Sequence, residues 1–74
     1  MERSYTLFVK KDGKYIRLVP SVFSLKNARR LFQGRLLAGS MNGHQMYLRP
    51  AKPVEKYEEQ VAIMERAIAL NLYR

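Results

Sequence analysis

The residues best placed to do chemistry in this chain are cations at helical spacing. Lys26, Arg29, Arg30 and Gln33 recur at i, i+3, i+4 and i+7, which puts them on one side of a helix. Cations along about a turn and a half can meet phosphates or carboxylates together, and arginine does so with bidentate geometry. A second group interleaves rings and charge: Phe8 and Tyr15 stand beside Lys10 and Arg17, with Lys11 and Lys14 carrying charge around the intervening turn. That composition suits stacking of unpaired bases. Tyr47 and Arg49 make a smaller third group. Each has a plainer reading. The helical stripe can be a solvated face, and Phe8 is expected in the core, because a C-terminal helix needs a surface to bury its own apolar side.

Catalysis has little to work with. His44 is the lone histidine, cysteine is absent, and Asp12 is occupied by a turn. A single histidine without clustered carboxylates is a surface turn residue rather than a metal ligand. There is no glycine-rich phosphate loop, and general acid–base or nucleophilic chemistry lacks its usual partners. No catalytic residue, metal or cofactor is expected, and the chain reads as a non-enzyme.

Charge says more. Residues 1–54 hold eleven Lys/Arg and two acids, whereas residues 55–74 hold three Lys/Arg and four acids. The net charge is +8 over 74 residues. A basic body joined to a nearly neutral tail predicts an acidic or polyanionic partner: DNA or RNA, an anionic membrane face, or an acidic protein surface. Without cysteine no disulfide holds the fold, which fits a reducing cytoplasm. Apolar runs fall far short of the roughly 20 residues that span a bilayer, and the N-terminus lacks the apolar core of a signal peptide. A cytoplasmic protein with no membrane partner is expected.

Those side chains need elements to position them. Residues 4–19 read as a hairpin. Asp12-Gly13 suits the positive φ angles of a type I′ turn. The register that follows sets Lys10 against Tyr15, Val9 against Ile16, Phe8 against Arg17 and Leu7 against Leu18. One face then shows Tyr5, Leu7, Val9, Ile16 and Leu18. The other shows Thr6, Phe8, Lys10, Tyr15, Arg17 and Val19. Pro20 ends the second strand. Ser24 is a good N-cap for a helix over 25–38, whose apolar side is Leu25, Ala28, Leu31, Phe32 and Leu36. Gly39 is its stop, and Arg35 must snorkel outward. Residues 41–44 form a turn. Residues 45–49 alternate as a third strand closed by Pro50, with Met46 and Leu48 one way and Tyr47 and Arg49 the other.

Pro50-Ala51-Lys52-Pro53 is a stiff linker. Residues 54–72 read as a second helix, with Glu55, Glu58 and Glu59 near its positive end. Tyr57, Val61, Met64, Ile68 and Leu72 form one apolar stripe, and Ile63 and Leu70 a second ridge. Two ridges exceed one contact, so Ile63 and Leu70 are candidates for self-association, and a homodimer would double the basic surface.

The run Phe23-Ser24-Leu25-Lys26-Asn27-Ala28, followed by Leu48-Arg49-Pro50-Ala51-Lys52-Pro53, resembles small host-takeover proteins of lytic short-tailed bacteriophages, in layout their host RNA polymerase inhibitor. The resemblance covers about residues 5–53. It implies a hairpin, a helix opening Ser/Thr-Leu-x-x-Ala and a third strand ending Arg-x-Arg-Pro, whose two arginines contact an acidic part of the polymerase. The second of these falls on Arg49. The first falls on Tyr47, a departure, and the family's acidic helix is basic here.

The expected fold is α+β, a three-stranded antiparallel sheet in a ββαβ core (residues 1–53) with an appended helix (54–74). One helix covers the core face, and the second covers the other face or self-associates. The expected function is stoichiometric inhibition or modulation of host nucleic-acid machinery by occlusion. Lys26, Arg29, Arg30 and Arg49 lead the binding set, which also includes Gln33, Tyr47, Arg17, Lys10 and Lys14. Direct DNA or RNA binding is the alternative, and a structural or assembly protein working through the C-terminal helix is the third.

Overall fold

Asp12 and Gly13 adopt φ of 52° and 76°, the paired left-handed conformation that a two-residue turn needs to match strand twist. This turn fixes the register. β1 (Tyr5–Lys11) and β2 (Lys14–Arg17) pair antiparallel, with Lys11 opposite Lys14, Lys10 opposite Tyr15, Val9 opposite Ile16 and Phe8 opposite Arg17. The Leu18 amide then donates to the Leu7 carbonyl at 2.9 Å. A computed structural model describes residues 3–37, 40–41 and 44–70, with side chains for 3–34 and 45–70. The expectations for Arg35, Leu36, Gly39, the 42–43 turn, the His44 side chain and Leu72 lie outside the described residues.

β2 stops at Arg17, two residues before its expected end. The carbonyls beyond it are taken by side chains: Thr6 Oγ1 donates to Val19 O (3.2 Å), and Arg17 donates from Nε to Val19 O (2.9 Å) and from Nη2 to Pro20 O (2.8 Å). With the alternation broken, Val19 packs against the core and not on the outer face. The chain returns to β1 once more, where Tyr5 and Phe23 exchange backbone hydrogen bonds of 2.7 and 2.8 Å.

α1 (Leu25–Leu37) starts where Ser24 caps it, its Oγ accepting the Asn27 amide at 3.2 Å. β3 (Ser40–Met41) is a two-residue partner at the edge of β4 (His44–Pro50). β4 lies antiparallel to β1, with Leu7 opposite Leu48 and Val9 opposite Met46, so the strand order is β2-β1-β4-β3. Three full strands and two helices make the α+β ββαβα arrangement, with the short β3 added at the edge.

α2 (Tyr57–Ala69) begins three residues later than its pattern suggests. Residues 54–56 lash the linker down instead: the Val54 amide donates to Pro20 O (3.3 Å), and Gln60 Nε2 to Val54 O (2.8 Å). Glu58 and Glu59 occupy the first turn as expected. Among the described residues no helix is long and apolar enough to cross a membrane.

The core gathers Leu7, Val9, Leu18, Met46 and Ala67, with Ile16, Phe32, Leu48 and Leu70 packed on it. The sheet residues in this set all belong to one face. α1 packs on that face against β1 and β4, and α2 joins the same cluster through Ala67. The second helix therefore does not cover the outer face. The molecule has two layers, helices on one side and bare sheet on the other.

Candidate functional site

Strand alternation presents Thr6, Phe8 and Lys10 from β1, Tyr15 and Arg17 from β2, and Gln45, Tyr47 and Arg49 from β4 on the outer face. Because β4 adjoins β1, two groups that the sequence keeps apart become one surface. Phe8 sits in the middle, opposite Arg17 on one side and Tyr47 on the other. Phe8 and Tyr47 are half-buried, and Tyr15 is 41% exposed. Phe8 is thus no core residue, contrary to expectation. The three full strands contain no Asp or Glu, so nothing within the sheet neutralises its cations.

The side chains lean across the central strand. Tyr15 and Tyr47 meet edge to face, with ring centroids 5.6 Å apart at 84°. The Arg49 guanidinium lies over the Tyr15 ring, its Cζ 3.7 Å from the centroid, and 6.0 Å from that of Phe8. Lys10 Nζ is 5.6 Å from the Tyr15 centroid. A guanidinium at 3.7 Å is a direct cation–π stack, whereas the other two are near the limit of the effect. The Tyr47 hydroxyl donates to Gln45 Oε1 at 2.7 Å, which holds the ring over the face. Gln45 was not among the expected site residues, although the 45/47/49 alternation places it there.

Arg17 departs from the expected set. Two of its donors are spent on the Val19 and Pro20 carbonyls, and burial pulls its pKa below the ordinary arginine value. It braces the end of the sheet and is not a free ligand. Thr6, beside it, is fully buried. The exposed cations on this face are Lys10 and Arg49, with Lys11 and Lys14 exposed at the hairpin tip.

The helical stripe forms as expected but elsewhere. Ala28 is buried toward the sheet, and Lys26, Arg29, Arg30 and Gln33 are exposed. They line the helix layer, away from Arg49, so the four leading binding residues do not share a surface. Leu31, expected on the apolar side, is 60% exposed.

Self-association through Ile63 and Leu70 is also corrected. Ile63 is only 6% exposed and Leu70 packs on the core, so both serve the fold. The outward ridge is Tyr57, Met64 and Ile68, exposed by 77, 48 and 59%.

Among the described residues no group of three or more His, Cys, Asp or Glu could hold a metal ion. The sheet face offers rings, cations and amide groups, a set suited to binding. The chain matches no family model, no curated protein and no solved structure.

Proposed function

We propose that this is a non-enzymatic binding protein whose outer sheet face takes single-stranded nucleic acid. One observation carries the reading: a sheet face with no acid on its three full strands and no helix packed over it sets Phe8, Tyr15 and Tyr47 among Lys10 and Arg49. Flat rings accept bases without regard to sequence, and cations follow the backbone. Sheet platforms of this width stack about two or three bases. Phosphates meet Lys10 and Arg49, and bases stack on Tyr47 and Tyr15. For a base to use Tyr15, Arg49 swings off the ring and exchanges a cation–π contact for a phosphate. Such a ligand carries with it a cytoplasmic site of action, in the host bacterium if the chain is phage-encoded.

The test is fluorescence anisotropy with labelled oligothymidylate and oligouridylate. Tyr47→Ala is expected to weaken binding by about 5- to 150-fold, the span of roughly 1–3 kcal/mol for a stacked base. Binding unaffected by Tyr47→Ala, or none in the wild type, refutes the reading.

A second reading has its own support. The exposed, acid-free stripe Lys26, Arg29 and Arg30 on a rigid helix fits the acidic surface of a host protein complex, where occlusion would inhibit nucleic-acid machinery such as RNA polymerase. Charge complementarity would there chiefly speed and orient encounter. Pull-down from bacterial lysate with and without nuclease separates the two. A protein retained after nuclease favours the inhibitor, and recovery that collapses favours nucleic acid.

A further inference from the structure

Two cationic surfaces on opposite layers of one small molecule have a functional consequence. α1 contains no acid, and its Lys26, Arg29 and Arg30 are exposed on the helix layer, while Ala28 on the same helix is buried toward the sheet. The sheet's exposed cations, Lys10 and Arg49, lie on the other side. A strand lying flat on the sheet leaves the helix stripe untouched.

We propose that the chain bridges two nucleic-acid segments, one stacked on the sheet face and a second held by its phosphates along α1. This rests on the single-strand reading of the sheet. The two contacts differ in kind. The sheet offers rings and charge. The helix offers charge without exposed rings, and Lys26 and Arg30 are separated by about 6 Å along the axis, so its grip is a phosphate grip, indifferent to sequence. Bridging by a monomer needs no dimer, which sets it apart from avidity through self-association.

The experiment uses oligothymidylate immobilised on beads, the full-length protein, and a free fluorescent oligothymidylate that cannot pair with the first. Wild-type protein is expected to carry the fluorescent strand onto the beads. The triple variant Lys26→Gln/Arg29→Gln/Arg30→Gln keeps helix-compatible side chains at exposed positions and should fold. It is expected to lose capture of the second strand at least tenfold, while anisotropy shows first-strand affinity reduced by a few-fold at most. A triple variant that still bridges like wild type overturns the proposal, because bridging then comes from a dimer. Wild type that binds the immobilised strand and captures no second one overturns it too, leaving the sheet reading intact. If no strand binds at all, the sheet reading falls and this inference with it.

Discussion

Arg17 and Arg49 project from the same sheet face with the same charge, yet the structure gives them opposite jobs. Replacing each with methionine removes one positive charge and keeps the aliphatic stem that packs along the sheet. For Arg17→Met, hydrogen bonds of 2.9 and 2.8 Å to Val19 O and Pro20 O disappear. Neither carbonyl is orphaned, since Thr6 Oγ1 still donates to the first and the Val54 amide to the second. The cost is therefore at the low end for charged donors, about 1–3 kcal/mol in total, or a fall in Tm of roughly 4–20 °C for a domain of this size. Arg49→Met loses an exposed cation–π stack worth about 0.5–1 kcal/mol and should melt within a few degrees of wild type. Binding reverses the order. With Lys10 and Arg49 exposed on this face, log affinity for a single strand should fall against log salt with a slope of about −1.4, about 0.7 per phosphate neutralised. Arg49→Met flattens that slope by about 0.7, and Arg17→Met, measured well below its Tm, leaves it near the wild-type value. Thermal melts and anisotropy titrations across salt read both. Equal flattening by the two variants with equal Tm would refute the division of labour, and an unchanged slope in Arg49→Met would remove the phosphate path from this face.

The two described glycines should respond oppositely to alanine. Gly13→Ala, at φ 76° with nothing within 4 Å to clash, is expected to cost about 1 kcal/mol or more from backbone strain alone, whereas Gly34→Ala inside α1, equally open, should stabilise by about 0.4–1 kcal/mol, both read by urea denaturation. On α2, Ile63→Glu buries a charge where a domain this small holds only about 3–5 kcal/mol in reserve and should unfold the chain by circular dichroism. Ile68→Glu, on the exposed ridge, should fold normally, and any dimer seen by sedimentation in the wild type should become monomer; a dimer that survives in Ile68→Glu places its contact elsewhere.

Local chemistry made part of this fold legible. Asp12-Gly13 set the hairpin register residue by residue, and Ser24 marked the start of α1. What the sequence hid was which ridge of α2 would face the sheet, and that Leu31 would stand apart from Ala28 and Phe32 on α1. Bulk drew attention to Tyr57, Met64 and Ile68, and to Leu31, yet all of these are exposed. The ridges that face inward contain the fully buried Ala67 and Ala28, and at Ala28 the small side chain lets the α1 backbone approach β1 and β4. Hydrophobicity counted along a helix weights alanine least at the place where close approach matters most. The site was half legible for a similar reason. Alternation named Phe8, Lys10, Tyr15, Tyr47 and Arg49 but not their adjacency, which depends on β4 choosing β1 over β2, a non-local pairing with no local mark.

With both helices on one side, the charges sort by layer. Glu58, Glu59 and Glu65 lie on α2 and are exposed, in the same layer as Lys26, Arg29 and Arg30. The outer sheet face has cations and no carboxylate on any of its three full strands. A polyanion approaching the helix layer meets both signs of charge and no exposed ring on α1, and one approaching the sheet meets cations with rings, with Glu55 and Glu59 beside Arg17 at one end of the face. Screening confines each contribution to about 10 Å at 0.1 M salt, so Glu55 and Glu59 act on the Arg17 end of the sheet, and what sets the sheet above the helix stripe is its rings, which add stacking to charge. The two surfaces are therefore unequal, and the sheet fills first. Titration of a single oligonucleotide into the wild type should be biphasic at low salt, with the weaker phase lost first as salt rises and absent in the triple α1 variant. One phase of twofold stoichiometry would mean equal sites and would contradict this ordering of the two surfaces.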